Sequence, residues 1–153
     1  MSPAAPALDI DTPARLRVAI GRLSRRLRTT AAGSAAGLTP TKISVLLTVV
    51  REGPIRVSAL AQSESLNPTM LSRVIAALVD AGLLARTSDG GDRRAAWVQA
   101  TEDGRHLAQR MRRERTDAVN EALEGLAPDN RRLLEMALPA LEQLAEQLAE
   151  RRS

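Results

Sequence analysis

The sequence predicts a mainly α-helical fold carrying one small β-hairpin, and three observations lead there. Apolar residues recur at steps of three and four over most of the 153 residues, as helices that bury one face require. Two helix-start signatures, Ser58 and Asn67-Pro68, stand close together around Ser65-Leu66, so two short helices joined by a tight turn are expected. Soon after, Ser88-Asp89-Gly90-Gly91-Asp92 separates two brief runs, 83–86 and 95–100, as a turn separates the strands of a hairpin. The length suits one domain, which we place over 11–153, behind a Pro/Ala tail over 1–10 that is expected to be disordered.

Along the chain, Thr12 offers a cap and Pro13 a first helical residue, and Leu16, Ile20, Leu23 and Leu27 follow at steps of four, three and four. Gly33 to Gly37 interrupts that stripe. Thr39-Pro40 opens a second helix to about Glu52, whose Ile43, Val45, Leu46, Leu47, Val49 and Val50 cover more than one face; it is expected at the centre of the core. After Gly53-Pro54 and a short connection, Ser58 caps a brief helix with Leu60 and Ala61. The next helix runs from Thr69 to Ala81 and ends at Gly82. Its Leu71, Ile75 and Leu78 share one face, while Thr69, Ser72, Arg73, Ala76 and Asp80 lie on the other.

The hairpin carries Arg86, Arg93 and Arg94. Thr101 caps a long helix with Glu102 and Asp103 in its first turn, where the positive end of the helix dipole favours acids. Apolar positions in this helix run from Leu107 and Met111 to Ala118, Val119, Ala122, Leu123 and Leu126. Pro128 opens a last helix with Leu134, Leu138, Leu141, Ala145 and Leu148 at alternating steps of four and three, the spacing of a seam against a partner helix. Pro139 is expected to bend it, because a ring inside a helix removes one hydrogen bond.

Composition narrows the chemistry. With no cysteine, one histidine, no tyrosine and no phenylalanine, the chain has no disulfide, no thiolate nucleophile and too few nitrogen ligands for a metal site. No enzymatic activity and no cofactor are expected. The 22 basic residues exceed the 18 acidic ones, and Lys42 is the only lysine, so nearly every positive charge is a guanidinium suited to phosphates and guanine edges. No run reaches the roughly 18 apolar residues of a membrane span, and the first residues carry no basic leader, so a cytoplasmic location without a membrane partner is expected. Arg22, Arg25, Arg26 and Arg28 read as a solvated face opposite a leucine stripe before a nucleic-acid patch, His106 as a surface or half-buried structural residue before a switch or ligand, and Trp97 as packing beneath the hairpin before bordering a ligand cavity.

Helix, tight turn, second helix and two-stranded hairpin, in that order, make a winged helix-turn-helix, with the first and last helices left for dimerisation. Leu38-Thr39-Pro40, Leu60-Ala61, Ser72-Arg73, Gly82-Leu83 with Arg86, Asp92-Arg93-Arg94 and Thr101-Glu102-Asp103-Gly104 stand in the order and spacing of one family. Over about 12–150 the chain resembles the MarR (multiple antibiotic resistance regulator) family of bacterial transcription factors. The second helix of such a motif puts its first residues against base edges, which calls for small polar groups and a guanidinium; Thr69, Ser72 and Arg73 supply them. On an isolated helix these residues would be ordinary solvated surface, and the arginine hairpin directly after them favours the groove. The resemblance implies that Arg94 enters the minor groove, held by Asp92, with Arg93 at a phosphate; an exposed hairpin with a surface ion pair is the plainer alternative. Pro68, Arg56, Ala127 and Ala100 depart from the family pattern, at a polar position, two helix caps and a larger apolar position respectively.

The resemblance further implies a homodimeric, sequence-specific regulator of transcription, expected to be a repressor on a pseudo-palindromic double-stranded operator. Residues 38–100 would be the DNA-binding region, and 11–32 and 101–150 the dimerisation helices. A small aromatic or lipophilic effector would release it, from a pocket lined mainly by aliphatic residues and arginine whose members are unknown. The alternatives are a DNA-binding regulator without an effector and a helical interaction module with the fold but no DNA binding.

Overall fold

The computed structural model describes residues 10–89 and 92–150, with the backbone alone at 88, 89, 92–95 and 150. In chain order the elements are α1 (Thr12–Arg28), α2 (Ala31–Ala35), α3 (Pro40–Glu52), β1 (Ile55–Arg56), α4 (Val57–Glu64), α5 (Pro68–Asp80), β2 (Leu84–Asp89), β3 (Asp92–Ala100), α6 (Glu102–Glu124) and α7 (Pro128–Glu150). The chain packs as two compact units, Met1–Arg115 and Thr116–Ser153, and α6 runs through the boundary. Apart from Ile10, the expected tail over 1–10 lies outside the described residues.

In the first unit the core gathers around α3, as its all-round apolar pattern predicts. Val45, Leu46 and Val49 are fully buried there, in one cluster with Leu60 of α4, Leu71, Ile75 and Leu78 of α5, Val98 of β3 and Met111 of α6. Helix α1 contributes no buried residue, and Ile20 and Leu23 of its stripe are 42% and 63% exposed. In the second unit, Nε and Nη2 of Arg131 donate to the carbonyls of Leu123 (3.1 Å) and Glu124 (3.2 Å), at the carbonyl end of α6. None of residues 116–149 is buried. The backbone of α7 stays helical through Pro139.

Several local expectations are corrected. A third strand, β1, joins the hairpin, giving an antiparallel sheet of order β1-β3-β2 with Ile55 opposite Val98 and Arg56 opposite Trp97. Two residues are too short a strand to leave a periodic trace. Strands β2 and β3 also run on to pair Asp89 with Asp92, across a register shift at Ser88/Asp89, because ladder hydrogen bonds override the turn preference of these residues. Where Gly33 to Gly37 read as a break, α2 forms, capped by Thr30 Oγ1 accepting from the Gly33 N–H at 3.1 Å. Gly33 is there for packing: a Cβ would stand 3.0 Å from the Ile43 methyl and 3.1 Å from the Met111 sulfur. Helix α4 is entered directly from β1, so its N-cap is Arg56 rather than Ser58; the N-cap of α1 is Asp11 rather than Thr12, with Pro13 inside its first turn. Trp97 packs on the sheet face away from Val98, with the Arg56 guanidinium 5.2 Å from its ring centroid. His106 is exposed on α6, 4.0 Å from Glu102.

Candidate nucleic-acid interface

The tight turn between α4 and α5 rests on Ser65, whose φ of 53° is left-handed and lets the Leu66 N–H donate back to the Ala61 carbonyl at 3.0 Å. Two residues on, Asn67 Oδ1 accepts from the Met70 N–H at 2.8 Å, and Pro68 occupies the first turn without needing a donor. Helix α5 therefore starts at a defined place. Its rotation is fixed by Leu71, Ile75 and Leu78, all buried, so Thr69, Ser72, Arg73, Ala76 and Asp80 are exposed on the opposite face, as predicted. No acidic residue stands in its first turn. A polyanion approaching this helix end meets backbone N–H groups, hydroxyls and one guanidinium.

The angle of α4 against α3 is held by Glu64, whose carboxylate accepts from Ser44 Oγ at 2.7 Å and Thr48 Oγ1 at 2.6 Å. At the far end, Gly82 (φ 72°) turns the chain out of α5, and Thr101 Oγ1 donates to its carbonyl at 2.6 Å while accepting from the Gly104 N–H at 3.0 Å. Gly104 lies so close to the Leu83 carbonyl that a Cβ would collide with it. Gly82-Leu83 and Thr101-Glu102-Asp103-Gly104 are thus one junction that ties the sheet to α5 and α6.

Arg86 pairs with Val98 and stands two residues from Leu84, so period-two alternation puts it on the sheet face that bears the core, beyond the core's edge, where it is exposed. Asp92, Arg93 and Arg94 begin β3, and their side chains lie outside the described residues. The structure thus gathers Thr69, Ser72 and Arg73 on one face of α5 and puts Arg86 on the sheet that follows.

Two residues that the sequence reading did not assign to the interface join them. A cleft of about 530 Å³ is lined by Lys42, Asn67, Thr69, Met70, Arg73 and Val74, bringing the start of α3 beside the start of α5. Lys42 and Met70 each stand three residues after a cap, Thr39 and Asn67, in the parallel openings Thr39-Pro40 and Asn67-Pro68, and Lys42 is the only lysine; that repetition is the signal the sequence offers. A second cleft, about 620 Å³, opens between α1, α3 and α6, with Leu27, Ile43, Leu47 and Leu66 beside Arg28, Ser44, Glu64 and Arg115. There the buried Nε of Arg115 has no hydrogen-bond partner among the described residues.

Comparison with known proteins agrees with this geometry. The MarR family model matches residues 38–96, from the approach to α3 into β3. An HTH-type transcriptional regulator of Mycobacterium bovis, Mb0904, is 35% identical over 132 residues, covering 84% of this chain and 91% of that protein. The regulator ML2140 of Mycobacterium leprae is 32% identical over 142 residues, 90% of this chain and 98% of that protein. Among solved structures, RV1404 of Mycobacterium tuberculosis superposes with a TM-score of 0.75 at 23% identity over 92% of this chain and 97% of that one. NadR in complex with 4-hydroxyphenylacetate shares the fold at a TM-score of 0.59 and 20% identity, over 92% and 97% of the two chains.

Proposed function

The chain belongs to the MarR family of HTH-type transcriptional regulators, and from that premise we propose that it is a homodimeric repressor which holds a pseudo-palindromic operator until a small molecule binds. The observation that carries this reading is the exposed face of α5, where Thr69, Ser72 and Arg73 stand without an acid in the first turn on a helix whose position and rotation are fixed from both ends. Within a single MarR-like domain over 11–153, we assign 38–100 to DNA binding and 11–32 with 101–150 to dimerisation. Arg73 pairs with a guanine edge, Ser72 and Thr69 with neighbouring bases or phosphates, and Arg86 and Arg93 with phosphates. Arg94, oriented by Asp92, enters the minor groove, whose narrow walls concentrate negative potential. Two copies related by a two-fold axis would place their reading helices about 34–36 Å apart, one helical turn of DNA.

The effector reading rests on the larger cleft. Aliphatic walls with a buried guanidinium N–H that has no partner among the described residues suit an amphipathic carboxylate, the class to which the ligand of NadR belongs. Glu64 lines the same cleft and holds Ser44 and Thr48, so occupancy there acts on the α3–α4 angle that presents α5. We assign the chain no catalytic activity and a cytoplasmic location; among the described residues no helix is long and apolar enough to cross a membrane.

Selection of genomic fragments by the purified protein, followed by titration of the enriched duplex at several salt concentrations, tests the reading. Enrichment of an inverted repeat, with affinity falling steeply as salt rises, is the expected result, because each phosphate contact releases a counterion. Absence of enrichment and a flat salt response would leave a helical module that does not bind DNA.

A further inference from the structure

Met70 is the only large apolar side chain exposed between α1 and the distal part of α6 among the described residues. Apart from Ile10, the others lie on α1, from Val18 to Leu23, or between Val119 of α6 and Leu148 of α7. At 51% exposure it stands in the first turn of α5, its backbone fixed by Asn67, and it lines the smaller cleft with Thr69 and Arg73. Across that cleft lies Lys42, whose N–H is held by Thr39 Oγ1 at 3.4 Å; among the described residues no acid lines the space. Met70 and Arg73 are three residues apart and so share a helix face, about 4.5 Å apart along the axis. That rise is close to the step between adjacent base pairs.

Cationic flanks, one apolar knob and a guanidinium one turn on fit a particular edge of duplex DNA. The C5-methyl of thymine is the apolar group that the four base pairs present in the major groove. We propose that Met70 reads a thymine methyl one or two base pairs from the guanine read by Arg73, and that Lys42 neutralises the phosphate beside it. This rests on α5 being the DNA-reading helix. Met70 then contributes specificity and Lys42 affinity.

The test uses the full chain and the duplex obtained by selection, with each thymine of one half-site replaced in turn by deoxyuridine, which removes the methyl group alone. At one thymine the wild type should bind about fourfold more weakly, the worth of one buried methyl group. Met70→Ala should bind the thymine and deoxyuridine duplexes equally, while Met70→Leu keeps the discrimination. Lys42→Gln should weaken binding alike on both duplexes and reduce the salt slope by about one unit per subunit. The thermal midpoint of each free variant should match that of the wild type. If no thymine shows the penalty, or if Met70→Ala retains it, the methyl contact is wrong although sequence-specific binding stands. A change in dimer dissociation on Met70→Ala would make the cleft a protein contact and overturn the inference. Failure to select any sequence overturns both this assignment and the reading of α5 beneath it.

Discussion

Residues 40–111 and the terminal helical segments carry apolar stripes of similar regularity, yet they end in opposite states. In the former, Leu46, Leu60, Leu71, Ile75 and Met111 are fully buried; in α1 and over 116–149 nothing is buried, and Leu134, Leu138 and Leu148 are 43%, 53% and 55% exposed. A stripe at helical spacing therefore states that a face will be covered, not by which chain. The first region closes on its own side chains. The second needs another surface, which a second copy supplies in the function proposed above.

The largest expected effect contrasts two leucines. Leu71→Ala should cost about 2–5 kcal/mol, because it opens a cavity in a closed core. Trp97, the only aromatic residue, makes the measurement selective, since its fluorescence follows the winged region. The same truncation at Leu138 should barely move that transition but raise the dimer dissociation constant about tenfold in sedimentation. Equal losses at both sites would break the contrast.

Gly104→Ala ranks next. With the Leu83 carbonyl in the way of any Cβ, the junction of α5, β2 and α6 must shift, at a cost of about 1–3 kcal/mol in denaturant unfolding. Asp92→Ala and Arg94→Ala address DNA instead of folding. Each should weaken operator binding about tenfold, Arg94→Ala at least as much as Asp92→Ala, with unfolding unchanged. Wild-type affinity in both would remove the hairpin from the interface. The smallest effect is a gain: Ser65→Gly relieves a left-handed non-glycine residue and should stabilise the winged region by about 0.5–1 kcal/mol.

Much of the winged region was legible because its signals are local and strong. Thr39-Pro40 and Asn67-Pro68 mark helix starts through a cap and a ring that needs no donor, and the buried and exposed faces of α5 follow from spacing alone. What stayed hidden depends on distant partners. Strand β1 exists because Ile55 and Arg56 find β3 some forty residues on, and α2 exists because Gly33 fits between Ile43 and Met111. Lys42 and Met70 meet across a cleft that no single helix reveals. Glu64 reads as an ordinary surface acid until Ser44 and Thr48 of the preceding helix are placed beside it.

The proposed division between a region that reads DNA and segments that hold two copies together meets its most direct test at Arg73. Wild type and Arg73→Ala are titrated onto the selected operator and a scrambled duplex at two salt concentrations, with Ser72→Ala as the milder control. A bidentate arginine–guanine pair discriminates by about 1–3 kcal/mol, so the operator-to-scrambled affinity ratio should collapse for Arg73→Ala while the dimer persists. A uniform drop on both duplexes, with a salt slope lower by about one unit, would make Arg73 a phosphate contact. An unchanged ratio with unchanged affinity would contradict the account, because α5 would then not be the helix that reads DNA.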